Sequence, residues 1–130
     1  MKVLKFGGTS VGSVESILAL KKIVEKEAKH QPVVIVVSAL GGITDKLLLT
    51  SRLALNGDEA WKDEFEKMVG RHHQLIDTII TNTIDREVLF NEVDAMLEQL
   101  RSIYFGVFLI HDLSEKTHKT VVVIASAIIE

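Results

Sequence analysis

Cysteine is absent from the chain, so neither a disulfide framework nor a thiolate metal site is available to it, as suits a reducing cytoplasm. Basic clusters are missing as well. Lys and Arg are scattered and the net charge is −3, which leaves no footprint for a nucleic-acid backbone. The start has no charged stretch followed by a long apolar one, and no run reaches the roughly 18 apolar residues that a membrane span needs. No internal repeat, low-complexity tract or interdomain linker interrupts the chain. The expectation is one globular domain with a proper core, soluble and cytoplasmic, with no nucleic-acid or membrane partner.

Two well-known phosphate loops are also lacking. A Walker-type loop needs G-x-x-x-x-G-K-[ST] and a dinucleotide fingerprint needs G-x-G-x-x-G, whereas here the lysine precedes the glycines. The chain instead opens with Lys2-Val3-Leu4-Lys5-Phe6-Gly7-Gly8-Thr9-Ser10-Val11, a strand emptying into two glycines and two hydroxyls. If Val3, Leu4 and Phe6 are core, Lys5 lies where an ammonium needs an anion to meet it, because an unpaired buried charge is costly. Gly7 and Gly8 let the backbone turn sharply and aim N–H groups at an oxyanion, while Thr9 and Ser10 add hydroxyl donors. The residues allow two readings: a phosphate cradle, or a plain turn with Lys5 extended to the surface.

A second glycine loop follows. After Pro32 the run Val33-Val34-Ile35-Val36-Val37 is short, continuous and β-branched, as in a strand buried on both faces of a parallel sheet. It leads into Ser38-Ala39-Leu40-Gly41-Gly42-Ile43-Thr44-Asp45, where Thr44 or Asp45 can cap the next helix. Similar loops at corresponding strand ends point to one site, since ligands of open α/β sheets bind outside the carboxyl ends of the strands.

Between these strands Ser13 can cap a helix with an apolar stripe of Val14, Ile17, Leu20, Val24 and Ala28, leaving Lys21, Lys22, Glu25 and Lys26 to solvent. A right-handed βαβ crossover is expected. A second helix from Thr44 to about Leu55 should stop at the Asn56-Gly57 turn. Two long helical patterns come next. Trp61, Phe65, Met68, His72, Leu75, Ile76 and Ile79 line one, and Leu89, Val93, Met96, Leu100, Ile103, Val107 and Ile110 repeat along the other. Asn82 to Asp85 separates them, which predicts an antiparallel helical hairpin packed against the sheet layer. The fold class is thus α/β. Residues 1–55 form the βαβ phosphate-loop region, 58–112 the hairpin and 113–130 the tail.

Metal chemistry is not expected. His72, His73 and Asp77 supply too few ligands on one helix and read as a solvated face, while His111, Asp112 and His118 read as a helix end and loop.

The pair Lys5-Phe6-Gly7-Gly8-Thr9-Ser10-Val11 and, one βα unit later, Val37-Ser38-Ala39-Leu40-Gly41-Gly42-Ile43-Thr44-Asp45 resembles the amino-terminal part of an aspartate kinase. The likeness runs from Met1 to about Thr120 and weakens after Thr44. Such enzymes have the amino-acid kinase fold and phosphorylate the side-chain carboxylate of L-aspartate with ATP. The product is 4-phospho-L-aspartate, at the head of lysine, threonine and methionine biosynthesis. Acetylglutamate, glutamate and uridylate kinases share the fold, but K-F-G-G-T-S followed by G-I-T favours aspartate.

The resemblance implies that Lys5 contacts ATP phosphate and stabilises the transferring charge, with Gly7, Gly8, Thr9 and Ser10 around the β- and γ-phosphates. It places Ser38 and Thr44 at the aspartate site, with Gly41 and Gly42 allowing donor and acceptor to come close. Mg²⁺ would be held by the nucleotide and water rather than by a protein cage.

The tail departs from the family. Where aspartate kinases carry Gly-Glu-Arg-Leu, this chain reads Ala125-Ser126-Ala127-Ile128, so the substrate glutamate is missing and Glu130 comes too late to replace it. The adenine pocket and regulatory domains of the family would follow. The expectation is therefore a truncated or interrupted amino-terminal portion of an aspartate kinase with little or no turnover alone, a reading that leaves open the front of a fusion with homoserine dehydrogenase. The alternative is a noncatalytic phosphate- or nucleotide-binding subdomain that works through another chain. Homo-oligomerisation is expected through the apolar tail, Val121 to Ile129, rather than through the helices.

Overall fold

A computed structural model describes residues 1–117, 119 and 120. His118 and the tail readings on residues 121–130 lie outside the described residues.

The order is β1 (Lys2–Phe6), α1 (Val14–Ala28), β2 (Val33–Val37), α2 (Ile43–Leu55), α3 (Trp61–Ile79) and α4 (Thr83–Ile110). The fold is α/β, as expected, and its sheet is small. β1 and β2 pair in parallel, with Lys2 opposite Val33, Lys5 opposite Val36 and Phe6 opposite Val37. The Ser13 hydroxyl caps α1 by accepting the Ser16 N–H at 3.1 Å. Asn82 caps α4 in the same way through the N–H groups of Ile84 and Asp85.

The sheet does not form the core. Val34, Ile35 and Val36 are 43–44% exposed and Val3 is 61% exposed, which overturns the expectation of a strand buried on both faces. Phe6 shares a cavity wall with Ser16, Ala19, Leu20 and Ile23 of α1. Because strand side chains alternate, α1 covers the face carrying Phe6. The face carrying Val3, Lys5, Val34 and Val36 stays open among the described residues. α1 itself buries no residue, since its apolar stripe is only half covered.

The core lies instead among α2, α3 and α4, where Leu47, Trp61, Phe65, Met68, Leu100 and Tyr104 are buried together. The hairpin is antiparallel: Tyr104 meets Phe65 at 6.3 Å, Asp94 pairs with His73, and Arg86 with Asp77. It packs on α2, with α3 also touching α1, rather than on the sheet as expected. Along α4 the buried residues are Val93, Leu97, Leu100, Tyr104 and Val107, while Ile110 is 69% exposed. The repeat read from Leu89 to Ile110 alternates steps of four and three residues and missed Leu97 and Tyr104, because a straight helix drifts by about 20° per heptad from a 3.5-residue repeat. The Tyr104 hydroxyl donates to the Leu47 carbonyl at 3.1 Å, and burial pushes its ionisation well up.

Candidate functional site

Each strand leads directly into a glycine turn, and the parallel pairing puts both turns at the same end of the sheet. In the first, Ser10 N–H donates to Gly7 carbonyl at 3.0 Å and Gly12 N–H to Thr9 carbonyl at 3.3 Å, two successive tight turns. In the second, Ile43 N–H donates to Leu40 carbonyl at 3.0 Å and opens α2. Gly42 occupies the cap position with φ 80°, a conformation that glycine adopts without a Cβ penalty. Neither Thr44 nor Asp45 is the cap, as the sequence suggested. The helix starts one residue before Thr44, so both side chains stand exposed in its first turn.

The two turns are in backbone contact. A Cβ at Gly41 would lie 2.8 Å from the Gly8 carbonyl oxygen and 3.4 Å from Gly12 Cα, so this approach excludes a side chain. One at Gly8 would meet Ala39 O and Gly41 Cα, each at 3.6 Å. At Gly7 nothing lies within 4 Å, which leaves that stretch of backbone open to a ligand.

The side chains expected at the site divide between two faces. Thr9 and Ser10 line a shallow cavity of about 300 Å³ with Phe6 and Ser16, on the α1 side. Lys5, on the opposite face of β1 and opposite Val36, is exposed. It forms no ion pair among the described residues, unlike Lys2, which reaches Glu27 at 2.8 Å. The inference that Lys5 is buried fails, because the strand face that carries it has no covering layer there. Ser38 is exposed where β2 ends. The structure therefore brings the backbone of both turns together and leaves Lys5, Ser38 and Thr44 at the surface.

One basic side chain at the junction escaped the sequence reading. Arg71, half-buried on α3, donates from Nη2 to the Gly12 carbonyl at 3.0 Å, and its Nη1 lies 3.8 Å from where a Gly42 Cβ would stand. The interval from Gly12 to Arg71 matches no local motif, so only the folded chain joins them.

The histidines behave differently from one another. His72 is 5% exposed, as its place in the apolar line of α3 implied and against its reading with His73 as a solvated face, and its Nδ1 is bonded to the Met68 carbonyl at 2.7 Å. That bond assigns the proton to Nδ1. Burial depresses its ionisation, opposed by the Met68 bond and reinforced by the charges of Arg71 and His73. Its Nε2 has no polar partner among the described residues. His72 also borders an apolar cavity of about 290 Å³ walled by Val11, Leu40, Ile76 and Val93, directly behind the two turns. His73 pairs with Asp94 of α4 rather than with Asp77, which is taken by Arg86. His111 ends α4 with φ 53° and approaches the Leu55 carbonyl at 3.3 Å. Among the described residues no three His, Asp or Glu side chains gather as a protein-held metal would require.

Comparison with known proteins adds an independent observation. The model of the amino acid kinase family matches residues 1–126. Aspartokinase 2 of Bacillus subtilis (strain 168) is 38% identical over 87 residues, covering 65% of this chain and 21% of that protein. The aspartokinase of Bacillus sp. (strain MGA3) is 53% identical over 47 residues, 35% of this chain and 11% of that protein. Aspartokinase 1, chloroplastic, of Arabidopsis thaliana is 30% identical over 115 residues, 88% of this chain and 19% of that protein. The chain thus spans 11–21% of the length of these relatives.

Proposed function

From the premise that this chain belongs to the amino acid kinase family, we propose that it supplies the phosphate-turn portion of an aspartate kinase site, where ATP phosphorylates the side-chain carboxylate of L-aspartate. The observation that carries the reading is the backbone contact between the two glycine turns, which a side chain at Gly41 would break. Such contact leaves no bulk between a donor held by the first turn and an acceptor held by the second.

Phosphoryl transfer needs positioning and charge neutralisation more than covalent help. A carboxylate oxygen of aspartate bonds to the γ-phosphorus as the bond to the β–γ bridging oxygen breaks, giving 4-phospho-L-aspartate and ADP. Gly7 and Gly8 present backbone to the phosphates, and Thr9 and Ser10 offer hydroxyl donors. Lys5 supplies an ammonium on the open face. Its exposure suits this role, because an ammonium without a carboxylate partner is free to meet an incoming anion. Ser38 and Thr44 stand on the acceptor side. Mg²⁺ would neutralise charge on the phosphates, held by their oxygens and by water, as is usual for this ion.

A second reading is favoured by the open sheet. With Val3, Val34 and Val36 exposed together on its uncovered face, the chain is suited to binding nucleotide as a noncatalytic subdomain that associates with another chain. The location is taken to be the cytoplasm, and a second copy is the simplest such associate.

Calorimetry with MgATP and a coupled ADP-release assay with L-aspartate test both readings. Lys5-dependent binding with turnover supports the kinase, and Lys5-dependent binding without turnover supports the subdomain. Binding that survives Lys5→Ala unchanged, or no binding at all, overturns the phosphate-site assignment.

A further inference from the structure

We propose that Arg71 is a positioning residue that locks the two glycine turns into register from α3. The geometry stands by itself, and its consequence for nucleotide affinity rests on the phosphate-site reading above. The two turns meet through backbone, Gly8 carbonyl against Gly41, and no side-chain hydrogen bond joins one turn to the other among the described residues. Arg71 supplies the missing link. Its guanidinium hydrogen-bonds the Gly12 carbonyl at 3.0 Å, closing the first turn, and its other terminal nitrogen packs 3.8 Å from the Cβ point of Gly42 in the second. A planar guanidinium can hold the Gly12 carbonyl through one terminal nitrogen while the other lies beside Gly42, a span that a single-point ammonium lacks.

Its charge and its helix bear on this role. Arg86 and Arg101 are paired with carboxylates, at 3.3 Å to Asp77 and 3.7 Å to Glu98, whereas Arg71, like Arg52, has no carboxylate partner among the described residues. Its bond to a neutral carbonyl therefore leaves its charge uncompensated at the mouth of the turns. The α3 residues on either side of it in space, Met68 and His72, are buried, which fixes the helix that delivers it. Arg71 thus transmits the rigidity of the helical core to a glycine junction that has little rigidity of its own.

The test uses the full chain with Arg71→Gln, Arg71→Lys and, as control, Arg86→Gln. Arg86 is a fair control because its Nε donates to the Ile80 carbonyl at 2.9 Å, a comparable bond at the hairpin turn. In Arg71→Gln the amides of Ser10 and Gly12 should exchange with solvent roughly tenfold faster, and MgATP affinity should fall roughly tenfold, the scale of one charge-assisted hydrogen bond. Arg71→Lys should recover part of both, and Arg86→Gln should lower the melting temperature without touching either. Exchange at Ser10 and Gly12 that is unchanged in Arg71→Gln, or equally raised in Arg86→Gln, overturns the proposal. If exchange responds as stated while the unmodified chain binds no MgATP, the positioning role holds and the phosphate-site reading fails instead.

Discussion

Replacing Gly41 by alanine asks directly whether the contact between the two turns is a real constraint. The added Cβ would stand 2.8 Å from the Gly8 carbonyl oxygen. Relaxed carbon–oxygen contacts between neighbouring strands sit at about 3.3–3.6 Å. The turns must therefore part by roughly 0.5–0.8 Å, moving backbone on both sides rather than one flexible side chain. Overpacking of this kind costs about 1–3 kcal/mol. Against it, alanine narrows the unfolded ensemble and stabilises by about 0.4–1 kcal/mol wherever the native backbone accepts it. Gly41 has no positive φ, so that gain applies and the net loss should be about 1–2 kcal/mol.

For a domain of this size the loss is a drop of roughly 4–8 °C in melting temperature, read by circular dichroism. Gly7→Ala is the matched control, since nothing lies within 4 Å of its Cβ point, and it should melt close to the parent chain. Under the phosphate-site reading Gly41→Ala should also weaken MgATP binding. A Gly41→Ala chain that melts at or above the parent, or a Gly7→Ala chain that loses as much, would refute the argument.

Stability should also depend on acid through His72. Its ionisation is depressed in the fold, so the folded state keeps the imidazole neutral while the unfolded chain accepts a proton from about pH 6.5 downward. The contribution is fully present above that pH and is lost as pH falls toward the folded value, with a slope of up to about 1.4 kcal/mol per pH unit. Urea unfolding at neutral pH and near pH 5.5 should show the loss, and His72→Leu should flatten it; an equally steep fall in His72→Leu would place the acid sensitivity elsewhere. Gly70→Ala should act in the opposite sense to Gly41→Ala. Gly70 lies exposed within α3 with nothing within 4 Å of its Cβ point, so alanine should stabilise by about 0.5–1 kcal/mol in thermal melts, and a lower melting temperature would count against the described course of α3.

Local pattern and tertiary structure contributed different parts of this molecule. Elements with strong local signals were legible: the Ser13 cap, the stop at Asn56-Gly57 and the apolar face of α3 all lie where composition and periodicity put them. Burial was less legible. The run Val33 to Val37 has the composition of a doubly covered strand, yet coverage is a property of neighbouring layers, and among the described residues only one face has a layer on it. Lys5 illustrates the same limit, since alternation fixed its face while the open side of the sheet decided its exposure.

The sequence by itself determined that two strands would each end in a glycine turn flanked by hydroxyls, because glycine spacing and β-branched runs act through local backbone preferences. It could not determine how closely those turns approach or what holds them. The contact of Gly8 with Gly41, the guanidinium of Arg71 on the Gly12 carbonyl and the place of His72 beside the cavity behind the turns were decided by the tertiary structure. The first follows from pairing β1 with β2 and the other two from packing α3 against distant parts of the chain, and no local preference encodes a distance of that kind.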